Sequence, residues 1–107
     1  MIRNEDEEVI ERYIIYSTLQ NVISRKNRGG PLERFIKMGH MVGTDLHDIK
    51  GDLTIRKMKV MRMPTDKLEH DYAYMVFKNG WRSEHTMKKA DIQKEVTRLF
   101  CELGSLL

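Results

Sequence analysis

An Asn-Gly pair at positions 79 and 80, set between two runs of strand-forming residues, constrains this chain more than any other feature. A loop of two residues closes a β-hairpin through a type I′ turn, which needs positive φ at both positions, and Asn-Gly adopts that backbone at the least cost. The run before it, 72–77, reads Tyr-Ala-Tyr-Met-Val-Phe, all residues that suit a pleated, half-buried surface apart from the alanine. A fixed turn fixes the register. Lys78 then pairs with Trp81, Val76 with Ser83, Tyr74 with His85 and Tyr72 with Met87. One face of the hairpin carries Trp81, Val76, Tyr74, Tyr72 and Met87 and is expected to pack on helices. The other carries Phe77, Met75 and Ala73 opposite Arg82, Glu84 and Thr86 and is expected to be at least partly wet.

Residues 57–63 extend the sheet. They alternate in polarity with one phase slip at Val60-Met61, which predicts a strand with a bulge. Pro64, Thr65, Asp66 and Lys67 supply turn chemistry between this strand and the next.

Upstream, the apolar period changes from two to between three and four. Val9, Ile10, Tyr13, Ile14, Tyr16, Leu19, Val22 and Ile23 form one stripe of a helix over about 5–25. Asn4 is placed to cap it, with Glu7 at the capping-box spacing. The acids Glu5, Asp6, Glu7 and Glu8 sit where the helix dipole favours negative charge. Gly29, Gly30 and Pro31 break the helix and start another, antiparallel to the first because the linker is short. Over 31–55, Leu32, Phe35, Ile36, Gly39, Val42, Leu46, Ile49 and Leu53 step by three or four, which favours one long helix. Gly39, Gly43 and Gly51 oppose it, each at about 1 kcal/mol relative to alanine. The competing reading ends the helix near Gly43 and opens a strand near Leu53. Gly39 lies on the stripe itself, where a missing side chain would let the first helix come close. A closing helix over about 88–105 buries Ile92, Val96, Leu99, Phe100, Leu103 and Leu107, with Cys101 packed at or near the core.

The fold class that follows is α+β in the order α-α-β-β-β-α: an antiparallel helical hairpin over 1–55, then a three-stranded antiparallel sheet and a C-terminal helix over 56–107. A chain of 107 residues is one domain by length and long enough for a core without staples. One cysteine excludes an internal disulfide and fits a reducing compartment. No apolar run approaches the roughly 20 residues that span a bilayer, and the acidic N-terminus lacks a signal peptide's apolar core, so a cytoplasmic location without membrane contact is expected.

Charge is unevenly laid out. Positions 1–11 hold five acids and one base, a balance of −4, so the rest of this +3 chain carries +7. Such a basic body suits solubility, a polyanion or an acidic protein. Lys57, Lys59, Arg82, Lys88 and Lys89 are the residues through which nucleic acid would be met, since Lys88 and Lys89 bring two ammonium groups to a helix start.

Signatures of catalysis are missing. His40 and His47 stand two turns apart on one helix, roughly 10 Å in rise, too far to share an ion without a partner between them. Asp48, His70 and His85 could form a metal site, but no spacing predicts it. Neither Cys101 nor any serine has a nucleophile motif, and Gly29-Gly30 is not a phosphate loop. No catalytic, metal or cofactor residue is assigned.

Two resemblances stand beside this reading. Helix, three strands, helix is similar to the order of double-stranded-RNA-binding domains, with Lys88-Lys89 where that family starts its basic helix. The chain departs from the family in lacking the Gly-Pro-x-His strand-loop signature and in placing Val96, Leu99 and Phe100 in a closing helix that the family makes alanine-rich. The whole layout of about 100 residues (an acidic-capped helix rich in Ile and Tyr, a Pro-initiated second helix, a short meander, a final helix) resembles short uncharacterised proteins of Bacillus-type bacteria and their phages. That resemblance implies a bacterial or prophage setting. The expected function is a non-enzymatic adaptor or regulator that binds a protein, with a homodimer through the helical hairpin as one form. A duplex-nucleic-acid module is the alternative, and a metal-dependent enzyme the third reading.

Overall fold

The computed structural model describes residues 4–29, 33–63 and 70–106. Its elements run α1 (Asn4–Arg28), α2 (Glu33–Ile55), β1 (Met58–Arg62), β2 (Asp71–Lys78), β3 (Trp81–Lys88) and α3 (Lys89–Leu106). The sheet is antiparallel in the order β1-β2-β3. This is the expected α+β architecture. The turn at Pro64 to Lys67, the helix start at Pro31 and the contribution of Leu107 lie outside the described residues.

The hairpin forms as its loop demands. Asn79 (φ 51°) and Gly80 (φ 83°) both have positive φ, and the four expected pairs across β2 and β3 are all present. The second helix is continuous through Gly39, Gly43 and Gly51. It ends with Lys57 in the left-handed region (φ 57°), where the Lys57 amide donates to the Thr54 carbonyl at 3.0 Å. That conformation turns the chain into β1.

Burial explains the layering. Ile10, Ile14, Leu19 and Ile23 of α1 pack with Met38, Val42, Ile49 and Leu53 of α2. The sheet contributes Met58, Val60, Tyr74 and Val76 to the same core, and α3 adds Ile92 and Val96. All these sheet residues lie on one side, so the helices cover one face of the meander. Each buried large aliphatic side chain contributes roughly 1.5–3 kcal/mol of apolar transfer, enough to impose a continuous helix on the three glycines of α2.

The N-terminus of α1 is tied in by charge. Asp6 is 1% exposed. Its Oδ1 accepts from Arg56 Nη1 at 3.0 Å, and its other oxygen accepts from Lys78 Nζ. Arg56 also donates through Nε to Asp52 at 2.9 Å. The hydrogen bonds to Asp52 and then Asp6 hold the Arg56 guanidinium above its ordinary pKa. One carboxylate thus joins α1, the end of α2 and the end of β2.

Five expectations fail. No bulge interrupts β1: its register with β2 is unbroken from Met58 opposite Lys78 to Arg62 opposite Tyr74. The apparent phase slip is an apolar Met61 facing away from the helices. Trp81 shares the inner side by register, yet it is 75% exposed because it sits at the hairpin end, beyond the helices. Cys101 is exposed rather than packed, since one helical step of 100° carries it off the stripe of Phe100. Asn4 is the first residue of α1 and makes no capping hydrogen bond among the described residues. Gly39 is not needed for a close approach: a Cβ there would meet Ile23 Cγ2 at 3.7 Å, an ordinary contact.

Candidate functional site

Side chains alternate across a strand, so a sheet covered on one face presents every second residue on the other. On the outer side, Lys59, Phe77 and Arg82 form one cross-strand row. Met61, Met75 and Glu84 form the next, and Ala73 with Thr86 the third. Met63 extends this last row, its amide donating to the Ala73 carbonyl at 3.0 Å. None of these residues belongs to the helix-packed cluster, although Ala73 is itself buried. Met61 is 49% exposed, Met63, Met75 and Phe77 are half-buried, and Lys59, Arg82 and Glu84 are exposed. The result is a strip of three methionines and a phenylalanine, framed by bases on both edge strands.

The expected cationic residues divide over this frame. Lys59, Arg82 and Lys88 share the outer face, Lys88 pairing with Asp71 at the far end of β3. Lys57 stands beside the hairpin tip, its carbonyl accepting from the Asn79 amide at 3.2 Å. Lys89 goes elsewhere. Its ammonium lies 4.9 Å from the ring centroid of Tyr72, on the helix-facing side. A second cation shares that ring: the Arg62 guanidinium is 4.2 Å from the same centroid. The structure therefore brings together three of the five, sets a fourth near them and separates the fifth. Tyr72 and Tyr74 are committed inward, Tyr74 in the core and Tyr72 to its two cations.

The apolar strip itself was only half visible in the sequence. Register assigned Met75 and Phe77 to the wet face, but Met61 was absorbed into a bulge. The apolar stripe of α1 is largely consumed by the core: Ile10, Ile14, Leu19 and Ile23 are at most 2% exposed.

Among the described residues, no three His, Cys, Asp or Glu side chains converge on a point that could hold a metal ion. His40, His47 and Asp48 are exposed on α2, and His85 Nε2 faces Glu11 Oε1 at 3.5 Å. No helix among them is long and apolar enough to cross a membrane.

Compared with protein-family models, curated proteins and solved structures, the chain matches none. Its function has to be argued from its own surface.

Proposed function

We propose that this chain is a non-enzymatic protein-binding adaptor or regulator whose outer sheet face takes an apolar segment of another protein, flanked by acidic residues. One observation carries the reading: all helices lie on one face of the sheet, leaving Met61, Met75 and Phe77 on the other with nothing described above them. Exposed methionines are polarisable and unbranched, and they adapt to partner side chains of varied shape. Lys59, Arg82 and Lys88 around them favour carboxylates at the rim.

The charge pattern selects among occupants. Two copies of this face can be laid together about a two-fold axis in two aligned ways. An axis along the strands sets Lys59 over Arg82 of the second copy. An axis across them sets Glu84 over its own counterpart. Like charges meet in both, so a different partner fits better than a second copy. Nucleic acid is disfavoured by Glu84, whose carboxylate stands in the row beside Phe77 and would meet a phosphate backbone.

Two amphipathic peptides with one shared apolar face, one flanked by glutamates and one by lysines, test this, together with duplex RNA. The glutamate peptide is expected to shift the methyl resonances of Met61 and Met75, and Met61→Glu to abolish the effect while changing stability by less than about 0.5 kcal/mol. Salt-sensitive RNA binding that shifts the same methyls and is lost in a Lys59→Glu, Arg82→Glu variant would overturn the proposal in favour of nucleic acid.

A further inference from the structure

On the helix-facing side, at the β1 edge, a cleft of about 150 Å³ opens between α1 and the sheet. Tyr13, Ser17, Thr18 and Asn21 of α1 line one wall, and Arg62 and Tyr74 the other, over a floor of Ile14 and Val60. Its polar lining among the described residues consists of four hydroxyls, one amide and one guanidinium, with no carboxylate among them. Thr18 donates to the Ile14 carbonyl at 2.8 Å. Tyr13, Ser17, Asn21 and Tyr74 spend no side-chain hydrogen bond within the described residues.

Arg62 is the unusual member. It is exposed and pairs with no carboxylate among the described residues. Its guanidinium carbon lies 4.2 Å from the centroid of the Tyr72 ring, and its N–H groups make no side-chain hydrogen bond within the described residues. A cation seated over an aromatic ring, beside several hydroxyls and with no carboxylate paired to it among the described residues, is an arrangement that recognises an oxyanion. Tyr74 fits the same role, since its hydroxyl lines the cleft and is a protonated donor at neutral pH.

We propose that this cleft binds a small oxyanion, a phosphate or carboxylate group, with Arg62 as its charged anchor and the hydroxyls of Ser17 and Tyr74 as donors. The cleft has about half the smallest volume usual for drug-sized ligands, so it suits the anionic group of a small metabolite rather than a nucleotide. The site lies on the opposite side of the sheet from the Met61 strip and is independent of the protein-binding reading.

Titration of inorganic phosphate into the isotope-labelled full chain, against sodium chloride of equal ionic strength, tests it. Saturable amide shifts are expected at Ser17, Thr18, Asn21 and Arg62. Arg62→Gln is expected to weaken binding about ten- to a hundredfold, the loss of one charge-assisted contact. Ser17→Ala, which removes one hydroxyl from a half-buried helix position, gives a smaller loss in the same direction. Lys94→Gln, on an exposed position of α3, leaves affinity unchanged. Parallel titrations with sulfate and acetate distinguish a tetrahedral anion from a carboxylate. Shifts that never saturate, that spread over exposed lysines, or that persist at equal affinity in Arg62→Gln would overturn the site.

Discussion

Removing the charge of Asp6 tests the packing of the whole molecule. The carboxylate is 1% exposed and holds Arg56 at 3.0 Å and Lys78 through its second oxygen. At an effective dielectric constant near 20, a unit pair at 3 Å gains about 5 kcal/mol, most of it offset by desolvation of both ions. Asp6→Asn keeps the shape and removes the charge. Arg56 retains Asp52, but the Lys78 side chain, 16% exposed, is left without a carboxylate among the described residues. Breaking one side of a buried pair costs about 3 kcal/mol. For 107 residues, at about 2.1 cal/mol/K each, the unfolding entropy is about 0.22 kcal/mol/K, so Tm should fall by about 13 °C. Urea unfolding of the parent, Asp6→Asn, Lys78→Met and the double variant measures it. The double variant should cost less than the two single variants summed, by at least about 1 kcal/mol. Added salt should reduce the effect little, because the pair is shielded from solvent. An Asp6→Asn midpoint within about 0.5 kcal/mol of the parent would refute a buried, paired Asp6.

Two further perturbations follow from local geometry. Gly51 is exposed in the last two turns of α2, and a Cβ there meets nothing within 4 Å, so Gly51→Ala should raise stability by up to about 1 kcal/mol in the same urea assay; a loss would mean that the helix needs the glycine. Burial, partly offset by Arg62, lifts the Tyr74 pKa above its ordinary 10.0. The native state therefore holds this proton more tightly than the unfolded chain. Its contribution is complete below about pH 10 and is lost as pH rises through the native value. In a phenolate absorbance titration, Tyr74→Phe should remove one tyrosine that ionises above the ordinary value, and its stability should depend less steeply on alkaline pH.

Much of the architecture was legible because its signals are local. Asn79-Gly80 sets the hairpin and its register by backbone sterics alone, and the three-and-four spacing in α2 outweighs three glycines because burial is worth more than propensity. The misreadings share a cause: apolarity does not say which side a residue faces. Met61 was read as a phase slip because a methionine was expected inward, and Cys101 was drawn into the core by its neighbours Leu99 and Phe100. Asp6 was assigned to the helix dipole with the other acids. One signal could have separated it, for it stands three and four residues before Val9 and Ile10, on the buried stripe itself. Its partners Arg56 and Lys78 are 50 and 72 positions away, beyond any local pattern. The cleft of Ser17, Asn21 and Arg62 joins α1 to β1 in the same long-range way.

One-sided layering also separates what holds the molecule together from what it shows to the outside. Positions 59, 61, 75, 77, 82 and 84 contribute nothing to the helix-packed interior. Their identities can drift, or be rewritten by design, at little thermodynamic penalty. The same scaffold can therefore change its outer surface while its fold stays as it is, and a library randomised at those six places should yield folded variants.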